Sequence, residues 1–221
     1  MNPLSIASRI VLCSSIAVAA ADPNAVVLDR IAVIVGKRVI KTSNIDVDLR
    51  LTAFLNREPA RTDSDNKHRS AERLIDQEII RQEIINGGFR RPAESQSAAL
   101  EAQLTRDRFG GSDARLRGEL TRYGLSESDL REQLLWQLTV LSFIEQRFQG
   151  GAAVADEDVR SYYDQHLAEL RRQNPQASSY EALQPQIRKL LEGERVNQNF
   201  NQWLSQARNR YRIEYKQEAL K

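Results

Sequence analysis

The sequence predicts a mostly helical fold carrying one small antiparallel sheet, and three observations support that class. Apolar residues recur at helical spacing through most of the chain, most clearly at Leu74, Ile75, Ile79, Ile80, Ile84 and Ile85. Two distant segments have strand character instead: the β-branched run Arg30-Ile31-Ala32-Val33-Ile34-Val35 and the alternating Tyr211-Arg212-Ile213-Glu214-Tyr215. Aromatic residues make up 6% of the sequence and charged residues 28%, the balance of helices that bury one stripe and solvate the rest. A protein of 221 residues is large enough to close a core without disulfides or metal staples.

Residues 1–21 differ from all that follows. Arg9 is their only charge, Ile10 to Ala21 is apolar or small, and Ala17, Ala19 and Ala21 offer A-x-A cleavage sites. The segment reads as a secretory signal peptide, too short in its apolar run for the roughly 20 residues of a membrane span. A buried N-terminal helix is the competing reading. The single cysteine, Cys13, lies within it, so cleavage leaves a mature protein without thiol chemistry. A lipid anchor at Cys13 is disfavoured by the bulky Leu12 before it and the scarcity of upstream charge. The expected mature protein, 22–221, carries 31 basic and 30 acidic residues once Arg9 is removed. Its arginine clusters, such as Arg106/Arg108 and Arg208/Arg210/Arg212, are interleaved with acids, as on a solvated helix face. A nucleic-acid footprint would need concentrated positive charge.

After a loose leader from Asp22 to Leu28, the first strand turns at Gly36-Lys37 and returns through Arg38-Val39-Ile40. Thr42 or Ser43 is expected to cap a helix to about Leu55, with Ile45, Leu49 and Phe54 as its apolar side. Asn56 to His68, rich in Pro, Thr, Asp, Ser and Asn, reads as a loop. The strongest core helix then runs from about Ser70 to Asn86-Gly87-Gly88, a left-handed stop. Pro92 opens a weakly apolar helix through Leu100 and Leu104, ending before Phe109-Gly110-Gly111. Ser112 starts a short helix that ends at Tyr123-Gly124. Ser126-x-x-Asp129 forms a capping box ahead of a long amphipathic helix that bears Trp136 and Phe143 and closes at Gly150-Gly151.

From Ala152 the pattern begins afresh. Asp156-Glu157-Asp158 suits the positive end of a helix through Tyr162, Tyr163, His166 and Leu170. A polar linker from Asn174 to Ser179 precedes a helix from Tyr180 through Trp203, in which Pro185 is tolerable only in the first turn or at a kink. The closing strand at 211–215 is expected to cover its edge by pairing with the N-terminal hairpin. The expected organisation is one domain, 22–221, with 22–151 as its helical body and 152–221 completing it.

In this order the parts resemble the SurA-type family of periplasmic chaperones. Ile31 to Ile45 resembles its opening strand, cap and helix, and Leu74-Ile75-Asp76-Gln77-Glu78 to Gly87 its "Leu-Ile-Asp" helix. Tyr123-Gly124-Leu125-Ser126 to Leu135 resembles its "Gly-Leu-Ser" helix, Val154 to His166 its "Val-x-Asp-Glu-x-Val-x-x-Tyr-Tyr" segment, and Ile187 to Ile213 its closing helix and strand. The sequence departs from the family between His166 and Tyr180. Relatives with isomerase activity place a parvulin domain of roughly a hundred residues there, whereas about a dozen residues join the two helices here, too few for a domain. The resemblance therefore implies a periplasmic, ATP-independent chaperone for unfolded exported or outer-membrane polypeptides, without intrinsic prolyl isomerase activity and without a cofactor.

The residues agree with that implication. The two histidines, His68 and His166, lie in unrelated contexts and lack the neighbours of an isomerase or metal site. No phosphate loop, nucleophile elbow or H-E-x-x-H motif occurs. Phe54, Leu55, Phe109 and Tyr123 lie near predicted element ends, where side chains are less readily enclosed, and are the candidate client contacts. Trp136, Phe143, Phe200 and Trp203 have the spacing of core residues. An envelope adaptor that docks one partner or self-associates is the alternative, and an active isomerase the least favoured reading.

Overall fold

The computed structural model describes residues 29–173 and 179–221. The expected signal peptide with Cys13, the leader to residue 28 and most of the 174–179 linker lie outside the described residues. The elements are β1 (Ile31–Val35), β2 (Arg38–Lys41), α1 (Thr42–Asn56), α2 (Ser64–Gly87), α3 (Glu94–Phe109), α4 (Asp113–Arg122), α5 (Glu127–Phe148), α6 (Asp156–Gln173), α7 (Tyr180–Arg208) and β3 (Ile213–Tyr215). Short 3-10 turns follow α5 and β3. The protein is mostly helical, as expected, and its three strands form one antiparallel sheet in the order β2-β1-β3. Val33 of the central strand faces Ile40 on one side and Tyr215 on the other. No described helix is long and apolar enough to cross a membrane.

Local chemistry explains most boundaries. Asp63 and Ser112 each accept a hydrogen bond from the N–H three residues on, and Ser126 and Asp129 exchange bonds in the capping box that starts α5. The helix α1 is capped differently from expectation. Lys41 occupies the cap position, and Thr42 and Ser43 donate their hydroxyls to Asp29, whose carboxylate also accepts the Ser43 N–H at 3.1 Å. These bonds, that from the Ser43 hydroxyl foremost, hold the Asp29 carboxyl below its ordinary range.

A further expectation needs correction. The segment 64–68, read as loop, is the first turn and a half of α2. Its polar side chains are used at the far end of the sequence: Ser64 donates to the carbonyl of Leu220 at 3.0 Å, Lys67 to that of Lys221 at 2.5 Å, and His68 lies 3.3 Å from the Gln217 side chain. Pro185, expected in the first turn of α7 or at a kink, is its sixth residue and has no N–H to donate to the carbonyl of Glu181.

Three apolar clusters hold the fold. The largest joins the sheet to α1, α2, the second half of α5, the second half of α7 and Leu220. Ile75 and Ile79 lie at its centre, and truncating either to alanine would cost roughly 2–5 kcal/mol. A second cluster packs the end of α1 against α4 and the start of α5. The third consists of Val154, Val159, Tyr163, Leu183 and Ile187, so α6 and the first half of α7 form a helical hairpin with its own small core. Asp158 pairs with Arg195 at 2.6 Å across this hairpin, and Asp156 pairs with Arg188. The acids at the start of α6 thus complement both the helix end and the neighbouring helix.

Candidate polypeptide-binding groove

The groove begins with the two faces of α5. Leu130, Leu134, Phe143 and Phe148 point into the cores. A second face at helical spacing, Ser128, Glu132, Leu135 and Thr139 with Trp136 beside them, is left for a different surface. Opposite it lies α3, whose facing residues include Ser95, Ala98 and Ala102. These short side chains do not fill the space, and an open groove of about 650 Å³ remains along the α3–α5 seam. A second depression of about 510 Å³ continues it towards Ile84, Ile85 and Pro92, sharing Glu94, Glu132 and Leu135. A third, of about 270 Å³, leads between α1 and α2 and shares Arg81, Glu132 and Trp136. The three adjoin at Glu132, and Trp136 borders the second and third.

The lining is mixed in character. Ile85 is 51% exposed and Trp136 half-buried, so apolar surface is accessible. Arg81 stacks its guanidinium 4.7 Å from the Trp136 ring centroid and pairs with Glu78 at 3.6 Å. Glu101, buried at the base of the seam, binds Arg131 through two hydrogen bonds, and Arg131 also pairs with Glu127 at 2.9 Å. The bond to Glu101 is the main reason the guanidinium of Arg131 is held above its ordinary pKa. Such a surface offers apolar contact, a stacking platform and charges of both signs, the means of weak binding to varied extended polypeptides.

The spacing of Trp136 predicts a core position, and the structure corrects this in part: the ring packs against the main cluster on one side and lines the groove on another. The signal for this is not on α5 itself: Trp136 opens onto depressions bordered by Arg81, Ile84 and Ile85 of α2 and by Asn44 and Val47 of α1. Phe143 and Trp203 are buried as expected.

The four sequence-derived candidates do come together, although away from this groove. Phe54 stacks with Phe109 at 6.4 Å and meets Tyr123 edge-on at 5.7 Å, while Leu55, Phe109 and Tyr123 border the second cluster. Phe54 is only 3% exposed, which corrects the expectation that its place near a helix end leaves it open. The end of α1 is roofed by α4, far along the sequence. Leu55, Phe109 and Tyr123 remain partly exposed, and the Tyr123 hydroxyl donates to the Glu58 carbonyl at 3.0 Å.

His68 contacts Ser64 and Gln217, and His166 stacks on Tyr162 at 4.0 Å, so the two imidazoles serve separate local contacts. Among the described residues no group of three His, Cys, Asp or Glu side chains is placed to hold a metal ion. In comparison with known proteins, the sequence matches neither a protein-family model nor a curated protein sequence.

Proposed function

We propose that the protein is a SurA-type, ATP-independent periplasmic chaperone that holds unfolded exported polypeptides, outer-membrane proteins among them, and has no prolyl isomerase activity of its own. The observation that carries this reading is the set of three adjoining depressions that share Glu132, two of them bordered by Trp136, lined by apolar, aromatic and charged groups. A site built for one small substrate would be concave and enclosed, with a few convergent polar groups. The family-like order of segments supports the reading, as does the short join between α6 and α7 where isomerase relatives carry a further domain.

The test is aggregation of a chemically denatured outer-membrane protein with and without residues 22–221, in the absence of ATP. Suppression at near-stoichiometric ratios, repeated with unrelated clients, is the expected outcome. Failure on every client would instead favour an adaptor with one dedicated partner. A peptidyl-prolyl assay should give no rate above background.

A further inference from the structure

Three helices end in the same motif, in which a residue in the left-handed conformation caps the helix and the next N–H returns to a carbonyl in its last turn. Gly88 serves α2 and Gly110 serves α3, at φ of 65° and 61°. The cap of α1 is Arg57, at φ 60°, the sole described non-glycine residue with positive φ. A side chain in this conformation is strained, and the protein uses glycine for the same task twice. Retaining an arginine here points to a use for the guanidinium.

Arg57 lines a cleft of about 440 Å³ between the end of α1 and the end of α4, with Arg50, Arg122, Glu58, Pro59 and Tyr123. Three arginines face one glutamate, so the lining is net positive. Arg122 is partly neutralised by Glu119 at 2.5 Å and lies over the Tyr123 ring. Among the described residues Arg50 donates to two backbone carbonyls, those of Asp46 and Gly124, each at 3.0 Å, and to no carboxylate. Arg57 makes no ion pair or side-chain hydrogen bond among the described residues, although Glu58 follows it directly. The ring of Tyr123 and Pro59 add an apolar wall beside these cations.

We infer that this cleft is an anion subsite for a carboxylate carried by a bound polypeptide next to an apolar residue, with Arg57 as its principal ligand. The inference rests on the polypeptide-binding reading above and adds to it a preference for acidic segments. An Asp or Glu side chain and a free C-terminus present the same carboxylate, which a guanidinium fork binds in the same way.

The experiment measures anisotropy of labelled, unstructured peptides binding to residues 22–221 and to Arg57→Gly. One peptide carries an internal Glu beside Leu with an amidated end, a second replaces Glu by Gln, and a third keeps Gln but has a free C-terminal carboxylate. Wild type should bind one of the carboxylate peptides about tenfold more tightly than the neutral one, as one charge-assisted pair allows. Which of the two it prefers identifies the source of the carboxylate. Arg57→Gly should lose that preference and, relieved of the strained backbone, melt about 2–4 °C higher. Arg57→Lys should keep only part of the preference. An unchanged preference in Arg57→Gly, or none in wild type, overturns the subsite. Aggregation of a neutral client, run in parallel, separates the two readings: its suppression by wild type leaves the chaperone reading intact if the subsite fails.

Discussion

Trp136 and Trp203 show how differently one residue type is used. Trp203 is 9% exposed and tilts against Phe143 and Phe148, with its indole N–H buried and unpartnered. Trp203→Phe removes this unpaired donor, at the cost of the ring volume lost from the main cluster, and leaves Trp136 as the single indole reporter. In that background, Trp136 emission should shift to the blue as a denatured client covers the ring. Trp136→Ala should raise the concentration needed for half-maximal suppression about tenfold, the weight of an aromatic anchor. Unchanged emission with unchanged suppression would place client binding elsewhere on the molecule. The place of Trp136 is not legible from its own helix, because its exposure depends on how α1 and α2 border it. Ser126 and Asp129 are legible because their whole interaction lies within four residues.

At the scale of elements, β3 is tied to two helices by one polar cluster. The Tyr215 hydroxyl donates to Glu72 at 2.5 Å, and Arg208 of α7 binds Glu72 and Asp76 of α2 at 2.5 and 2.6 Å. Burial pushes the Tyr215 phenol up to about 12, with the bond to Glu72 adding to the shift. Burial also raises Asp76, outweighing the attraction of Arg208. An unfolded Tyr215 ionises near its ordinary value of 10, while the folded phenol keeps its proton to about 12. The stability contributed by this contact is therefore full below pH ~10 and is lost as pH rises towards ~12. Tyr215→Phe should cost about 1 kcal/mol at neutral pH, the low end for a bond to a charged acceptor at a half-exposed site. In urea unfolding, the gap between wild type and variant should narrow across that window, whereas a constant gap would show that Tyr215 does not titrate with folding. Strand and helix types are readable from periodicity. The early start of α2 is not, because the partners of Ser64, Lys67 and His68 lie about 150 positions away.

For the whole molecule, the division into a main body and a helical hairpin predicts unequal local stability. The hairpin of α6 and early α7 relies on the small cluster around Val159 and Leu183, whereas α2 and α5 share the large one. Hydrogen exchange should be faster in α6 than in α2. Leu183→Ala, a loss of roughly 2–5 kcal/mol, should accelerate exchange in α6 by tenfold or more and leave α2 unchanged. Parallel acceleration in both would mean that hairpin and body open as one unit. The strand order has a consequence in time. Val33 belongs to the central strand and is made early, yet one of its two neighbours is Tyr215. A ribosome makes β2 directly after the central strand but β3 only much later, so one edge of the central strand stays open until β3 has been made. The sheet is thus closed by a contact between residues made far apart in time, and a nascent polypeptide keeps this edge unpaired until β3 has emerged.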